Sequence, residues 1–201
     1  MEIDLTTLES RHAHDLLTGS IIPRPIAWVS SMNENGDTNL APFSFFTGVS
    51  WNPPVIAFSP VNRPDGTRKD TVINIEKIPE FVVHMVSVDL LHPMESTAKS
   101  IPYGKDEAEL KDIHLVESTK IRPKRIQHAK IAFECILEKI VRISEGPEAG
   151  NLILGRVVMA HIDDDLILND REINSKALDP LGRLSGKFYC HTRATIESEK
   201  N

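Results

Sequence analysis

Cysteine is scarce in this sequence, and long apolar runs are missing from it. Two cysteines, Cys135 and Cys190, are too few for a disulfide framework, and a reducing compartment suits them better. The opening residues MEIDLTTLES are acidic and lack the cationic start and apolar core of a secretory signal. No stretch approaches the roughly 20 apolar residues that cross a bilayer. We therefore expect a cytoplasmic protein that does not enter the membrane.

An excess of positive charge is also missing. The net charge is -6 and no long basic stripe occurs, which disfavours nucleic acid as the main partner. Hydrophobic residues make up 40% of the chain and charged residues 26%, values typical of a globular protein rather than a disordered one. Because 201 residues can bury one substantial core, we predict a single domain over residues 1–201.

Common nucleotide-binding and catalytic motifs are absent as well. The sequence contains no GxGxxG, GxxxxGK[ST] or GxSxG, so no Rossmann unit, P-loop or nucleophile elbow is predicted. A nicotinamide would have to dock transiently. The eight histidines lack metal-ligand spacing, and we interpret them as surface or structural residues, with the roles of His84 and His191 left open. Residues 163–165 are expected to form an exposed acidic turn.

Alternating and β-branched runs predict most of the secondary structure. We expect strands over residues 26–31, 40–50, 55–61, 81–88, 130–144 and 152–163. Asn35-Gly36 marks a hairpin between the first two strands. Within residues 130–144, Cys135 falls on the apolar face and Glu134 on the opposite, polar face.

Helices are predicted to be short. Residues 12–19 form a lead-in of one helical turn, and residues 71–78 form a helix with Asp70 or Thr71 as its N-cap. Strands in hairpin-like succession with short helices between them argue against a doubly wound parallel sheet. They predict a mainly β fold, a closed or nearly closed antiparallel barrel with peripheral helices.

The stretch from Asn39 to Thr71 combines features that suit a ligand. Apolar and small residues at positions 41–58 are interrupted by hydroxyl side chains and precede a charged cluster, Arg63, Arg68, Lys69, Asp70 and Thr71. A helix N-terminus beside a lysine favours an anion. We predict a site for a flat aromatic ligand with a phosphate tail. The alternative is an ordinary capped helix with exposed cations.

Five short motifs connect this stretch to a known family. They are Pro23-Arg24-Pro25, Asn39-Leu40-Ala41-Pro42-Phe43-Ser44, Pro53-Pro54, Lys69-Asp70-Thr71 with Asn74, and Arg183-Leu184-Ser185-Gly186 with Tyr189. In this order they resemble the flavin reductase-like, FMN-binding split-barrel family, close to its flavoredoxin-type branch. The resemblance implies an antiparallel six-stranded split barrel of Greek-key type. It also implies a homodimer that binds FMN noncovalently near the subunit interface.

The resemblance further implies which residues hold the cofactor. The isoalloxazine would be lined, partly through backbone groups, by Asn39, Leu40, Ala41, Pro42 and Ser44. The phosphate would be held by Ser59, Lys69 and Thr71, with Asp70 beside them and Arg63 or Arg68 nearby. Tyr189 would approach the ring or the nicotinamide, either within one subunit or from its neighbour. Two positions depart from the family pattern: His84 replaces a frequent asparagine, and Ser185 replaces the first glycine of a Gly-Gly pair.

The implied activity is hydride transfer from NADH or NADPH to flavin, as in an NAD(P)H-dependent flavin reductase. The alternatives are a flavoredoxin-like electron carrier with tightly bound FMN and a non-enzymatic FMN-binding protein. An electron-transfer protein is a further expected partner, whereas nucleic acid and membrane are not. The sequence assigns no catalytic residue, because the flavin itself carries the redox chemistry.

Overall fold

The structure, a computed structural model, describes residues 1–99, 102–169 and 172–198. Its strands are β1 (Ala27–Met32), β2 (Thr38–Phe43), β3 (Phe46–Trp51), β4 (Pro54–Phe58), β5 (Glu80–Met85), β6 (Leu115–Val116), β7 (Arg125–Ile126), β8 (Ile131–Arg142), β9 (Asn151–Ile162), β10 (Ile167–Leu168), β11 (Glu172–Ile173), β12 (Leu181–Arg183) and β13 (Tyr189–His191). Its α-helices are α1 (Ser10–Ser20), α2 (Asp70–Lys77), α3 (Leu91–Ser96), α4 (Glu107–Leu110) and α5 (Ser175–Leu178).

Seven antiparallel strands form the main sheet, in the order β2-β1-β5-β8-β9-β4-β3. The outermost strands, β2 and β3, are separated in the chain by only Ser44 and Phe45. The two edges of the sheet must therefore come close together, which curls the sheet into a split barrel. The predicted mainly β, antiparallel split-barrel fold is confirmed.

The predicted continuous strand over residues 40–50 is wrong. The chain bends at Ser44-Phe45, so that β2 and β3 lie at opposite edges of the sheet. The bend is stabilised because the Ser59 N–H donates to the Phe45 carbonyl at 2.9 Å. This division gives the sheet seven strands, one more than the resemblance implies.

Two apolar clusters lie on opposite faces of β1. The first contains Val29, Phe58 and Phe81, each with no exposed surface, and α2 packs Val72 and Ile75 into it. The second surrounds the buried Trp28 and Leu40 and includes residues of α3 and α4. Strand β2 therefore contributes to both clusters, which fixes the position of the Asn39–Pro42 backbone.

The expected polar face of β8 is wrong at Glu134, whose side chain is fully buried. The register of β8 and β9 shifts between Glu134 and Cys135, which breaks the simple alternation. The Glu134 carboxylate accepts hydrogen bonds from the backbone N–H groups of Thr119 and Lys120, at 2.6 and 2.7 Å, and contacts His161 Nε2 at 2.6 Å. Burial alone would raise the pKa of Glu134, but these contacts hold it below its ordinary value.

Two helix predictions also need correction. The lead-in over residues 12–19 is an 11-residue helix, α1. The N-cap of α2 is Lys69 rather than Asp70 or Thr71, because Asp70 already has helical geometry and its carboxylate pairs with Arg63. In the parts of the chain that the structure describes, none of the helices combines the length and apolar character that a membrane span requires.

Candidate functional site

A cleft of about 280 Å³ opens beside α1, the bend after β2 and the loop after β12. We call it the main cleft. Its apolar wall includes Pro42, Phe45 and Val61, and its hydroxyl groups come from Ser44 and Ser59. Its charged and polar walls include His14, Asp15, Thr18, Arg24, Lys69 and Arg183.

Arg24 is a buried cation in the wall of the main cleft. Its guanidinium donates to the carbonyls of Thr18, Ile21 and Leu184 and, at 3.3 Å, to Ser44 Oγ. Burial, followed by repulsion from Arg183, holds the pKa of Arg24 below its ordinary value. Because these four partners are neutral oxygens, the positive charge of Arg24 is available to the cleft.

Arg183 is held at the cleft by an aromatic ring. Its guanidinium carbon lies 4.4 Å from the centre of the Tyr189 ring, a cation–π contact. One of its amino groups donates to the Gly186 carbonyl at 2.5 Å. Gly186 has φ of 57° and also lines the cleft, so this tight turn brings the loop after β12 against the site.

Lys69 is the half-buried cation nearest the start of α2. Among the residues that the structure describes, no carboxylate oxygen lies within 4.0 Å of its amino group. Burial first, and then repulsion from Arg63, lowers the pKa of Lys69, while Asp70 partly opposes the shift. No side chain caps the N-terminus of α2. A lysine without an ion-pair partner among the described residues therefore lies beside an uncapped helix end, an arrangement that favours an anion.

A second opening of about 40 Å³, which we call the side crevice, shares Lys69 with the main cleft. Its polar groups are mostly engaged with one another. Asn39 Nδ2 donates to Thr71 Oγ1 at 2.9 Å, and Arg63 pairs with Asp70 at 2.7 Å. Outside the crevice, Arg68 pairs with Glu76. The arginines of the predicted phosphate cluster are thus neutralised within α2 and the preceding loop.

The sequence-predicted residues divide between these two openings. The main cleft contains Pro42, Ser44, Ser59 and Lys69. The side crevice contains Asn39, Ala41, Arg63, Lys69, Asp70 and Thr71. The Leu40 side chain is buried in the core, so only its backbone is available to a ligand. Tyr189 is absent from the lining of both openings and contacts the site through Arg183.

Arg24 and Arg183 occur in two of the sequence motifs, but the sequence assigned neither of them a role in the site. The sequence also assigned no role to Glu107, which lines the side crevice and accepts the Leu40 N–H. The prolines flanking Arg24 hinted at a fixed backbone there. No local signal marked Glu107, because its position depends on α4 packing against β2.

His84 in β5, whose role the sequence left open, is a structural residue. His84 is fully buried, with Nδ1 2.8 Å from the Trp28 carbonyl and Nε2 accepting the Ile126 N–H at 2.9 Å. Burial lowers its pKa to about 4, so it is a neutral imidazole near pH 7. His191 is exposed and lies 3.6 Å from Asp179. Within the described ranges 1–99, 102–169 and 172–198, no group of metal-ligating side chains could hold an ion.

A family model described as "Flavin reductase like domain" matches residues 18–177. The chain belongs to the flavin reductase-like family. Membership of this family supports a flavin as the cofactor and oxidoreduction as the class of reaction. The family resemblance predicted from the sequence motifs is confirmed.

Solved structures in this family share nearly the whole fold. Nitrilotriacetate monooxygenase component B from Bacillus cereus superposes with a TM-score of 0.93 at 36% identity, over 98% of both chains. The 2-nitrobenzoate 2-nitroreductase NbaA of Pseudomonas fluorescens gives a TM-score of 0.89 at 31% identity, over 100% of this chain and 96% of NbaA. An uncharacterized protein of Aquifex aeolicus is 35% identical over 94% of each chain.

Proposed function

We propose that this protein is an FMN-binding oxidoreductase that takes hydride from NADH or NADPH, with FMN in the main cleft. The observation that carries the proposal is Lys69, a half-buried cation without a carboxylate partner among the described residues, between two openings and at the start of α2. Arg24 and Arg183 add positive charge to the same cleft. Family membership supports the flavin.

The side chains of the main cleft fit the two ends of FMN. Pro42, Phe45 and Val61 offer an apolar surface for a flat ring, and Ser44 and Ser59 offer hydroxyl groups. Burying about 200 Å² of flavin at roughly 25 cal/mol/Å² contributes only about 5 kcal/mol. Micromolar affinity requires about 8 kcal/mol, in addition to the cost of association. Contacts to the phosphate must therefore supply a large part of the affinity.

The bound flavin would supply the redox chemistry, accepting hydride from a nicotinamide and passing electrons to a second acceptor. The protein's part is to bind and orient. The bend at Ser44-Phe45 and the two-sided packing of β2 hold the Asn39–Pro42 backbone in place. Arg24 and Arg183 favour a ligand that gains negative charge on reduction. Proton transfer by a side chain is not needed for the hydride step, which agrees with the absence of an assigned catalytic pair.

We propose a homodimer with FMN near its interface. The outer edge of β3 begins directly after the cleft residue Phe45 and exposes 52% of Val49 and 94% of Trp51. An exposed apolar sheet edge is an association surface that a second copy would cover. Light scattering should give twice the 22.5 kDa of the chain, and Trp51→Lys should shift the mass toward the monomer. A wild-type monomer at micromolar concentration would contradict the proposal.

The purified protein tests the cofactor assignment directly. FMN released on denaturation and identified by chromatography is the expected result. If the preparation is colourless, adding the protein to FMN should quench the fluorescence of FMN, and the quenching should saturate at one FMN per chain. No binding in either experiment would overturn the proposal.

Anaerobic stopped-flow mixing tests the reaction. Rapid bleaching of the bound flavin by NADH or NADPH is expected for a flavin reductase, and comparison of the two donors gives the preference. Slow bleaching by both, with fast reduction by a protein donor, would instead identify the electron carrier. Slow reduction by every donor would identify a non-enzymatic flavin-binding protein.

A further inference from the structure

Strand β2 lies at an edge of the sheet, and two carboxylates cover its outer side. Asp106 Oδ2 accepts the Thr38 N–H at 3.1 Å, and Glu107 Oε2 accepts the Leu40 N–H at 2.5 Å. The next residue in this register is Pro42, which has no N–H. Adjacent residues at the start of α4 therefore bind the outward N–H groups of the strand that carries the Asn39–Pro42 segment.

Glu107 differs from Asp106 in its surroundings. Glu107 is only 6% exposed and lines the side crevice together with Asn39, Lys69 and Thr71. Among the described residues, its hydrogen-bond partner is a neutral backbone N–H rather than a cation. A buried carboxylate without a paired cation is costly to ionise.

Charged groups from several segments face or influence Glu107. Those that the structure places at the crevice or in electrostatic contact are Arg63, Lys69, Asp70, Lys99, Asp106 and Lys111. Burial raises the pKa of Glu107 to about 7, with Asp70 and Asp106 adding to the rise and the Leu40 N–H and Lys111 opposing it. Its charge consequently changes within the physiological range.

We propose that Glu107 is a positioning residue for the flavin, which holds the backbone of the Asn39–Pro42 segment and makes FMN binding weaken as the pH rises through neutrality. The inference rests on the proposed FMN site. The ionised carboxylate places a negative charge in the crevice that shares Lys69 with the main cleft, so it opposes the phosphate and the reduced flavin. The protonated carboxyl removes that charge and can still accept the Leu40 N–H.

Glu107→Gln separates this role from a general effect on folding. The amide keeps an oxygen that can accept the Leu40 N–H but cannot ionise. The protonation of FMN itself changes with pH in the same way whichever protein binds it. The ratio of the dissociation constants of wild type and Glu107→Gln therefore isolates the contribution of Glu107. We expect Glu107→Gln and wild type to agree within about twofold at pH 6, and the variant to bind roughly threefold to tenfold more tightly at pH 8. The reduction potential of the variant's flavin should also be higher at pH 8 and unchanged at pH 6.

Glu109→Gln is the matched control, because Glu109 is exposed on the same short helix. It should follow the wild-type pH profile. If Glu107→Gln does not fold, nuclear magnetic resonance can follow the carboxyl carbon signal of Glu107 in the wild type as a function of pH, with and without FMN. Binding that favours protonation must itself raise the pKa of Glu107, so saturation with FMN should move the midpoint upward.

The outcomes are distinguishable. FMN binding with parallel pH profiles for Glu107→Gln and wild type, or an unmoved Glu107 titration, would overturn the role of Glu107 and leave the FMN site standing. No FMN binding by any of the three proteins at any pH would overturn the proposed function.

Discussion

Removing the amino group of Lys69 should weaken binding of FMN while leaving binding of riboflavin almost unchanged, because riboflavin lacks the phosphate. Lys69→Met is the appropriate change, since it keeps most of the aliphatic stem. The side chain does not cap α2, so the helix loses no hydrogen bond. The variant should fold as the wild type does.

The expected magnitude follows from the setting of Lys69. A hydrogen bond to a charged group contributes about 1.5–3 kcal/mol net. Lys69 is half-buried and has no carboxylate partner among the described residues, so no competing ion pair within the chain needs to be broken. Converted at 1.4 kcal/mol per tenfold, the dissociation constant for FMN should rise roughly 10-fold to 150-fold.

Quenching of flavin fluorescence measures both ligands at one ionic strength of about 0.1 M, because screening changes the effect. Lys77→Met is the control. Lys77 lies at the other end of α2, its side chain is 46% exposed, and it pairs with Glu34. This change removes the same charge and should alter FMN affinity less than twofold. Equal wild-type affinities for FMN and riboflavin, or an equal loss of both in Lys69→Met, would refute the phosphate assignment.

Two further changes test the fold around the site. Gly155→Ala should destabilise the protein by about 1–3 kcal/mol, because the new Cβ would lie 2.3 Å from Phe81 Cζ, whereas Gly48→Ala, with nothing within 4 Å, serves as its control in thermal melts. His84 has a folded pKa below its unfolded one, so its stabilisation is complete above about pH 6.5 and is lost as the pH falls toward 4. Between about pH 6.5 and 4, this effect should lower the free energy of unfolding of the wild type by about 3 kcal/mol. Denaturant titrations of His84→Asn should lack that decrease, and an unchanged dependence on acid pH would show that another group is responsible.

Most strands were predictable because their signals are local. Alternation and turn residues placed them, and the motif at Asn39–Ser44 lies on the edge strand β2 and the start of the bend that follows it. The division at Ser44-Phe45 was not predictable from those signals. Apolar and small residues continue through it, and the bend arises from closure of the sheet, which brings distant strands together.

Charges were harder to assign than strands. Arg63 and Arg68 looked like phosphate ligands but pair with Asp70 and Glu76, whereas Arg24, from a distant motif, lines the cleft. Glu134 looked solvent-facing but is buried by contacts to the loop at Thr119-Lys120, 14–15 residues earlier in the chain. In each case the folded position of a partner determines whether a charge is available. For the two arginines that partner lies only seven or eight residues away, so distance along the sequence does not reveal which ion pairs form.

The most direct test of the central claim is a crystal structure of the protein with FMN. We predict density for the phosphate within hydrogen-bonding distance of Lys69 Nζ and for the ring against the Ala41-Pro42 backbone. A main cleft that remains empty at saturating FMN, or FMN bound at a different surface, would contradict the account.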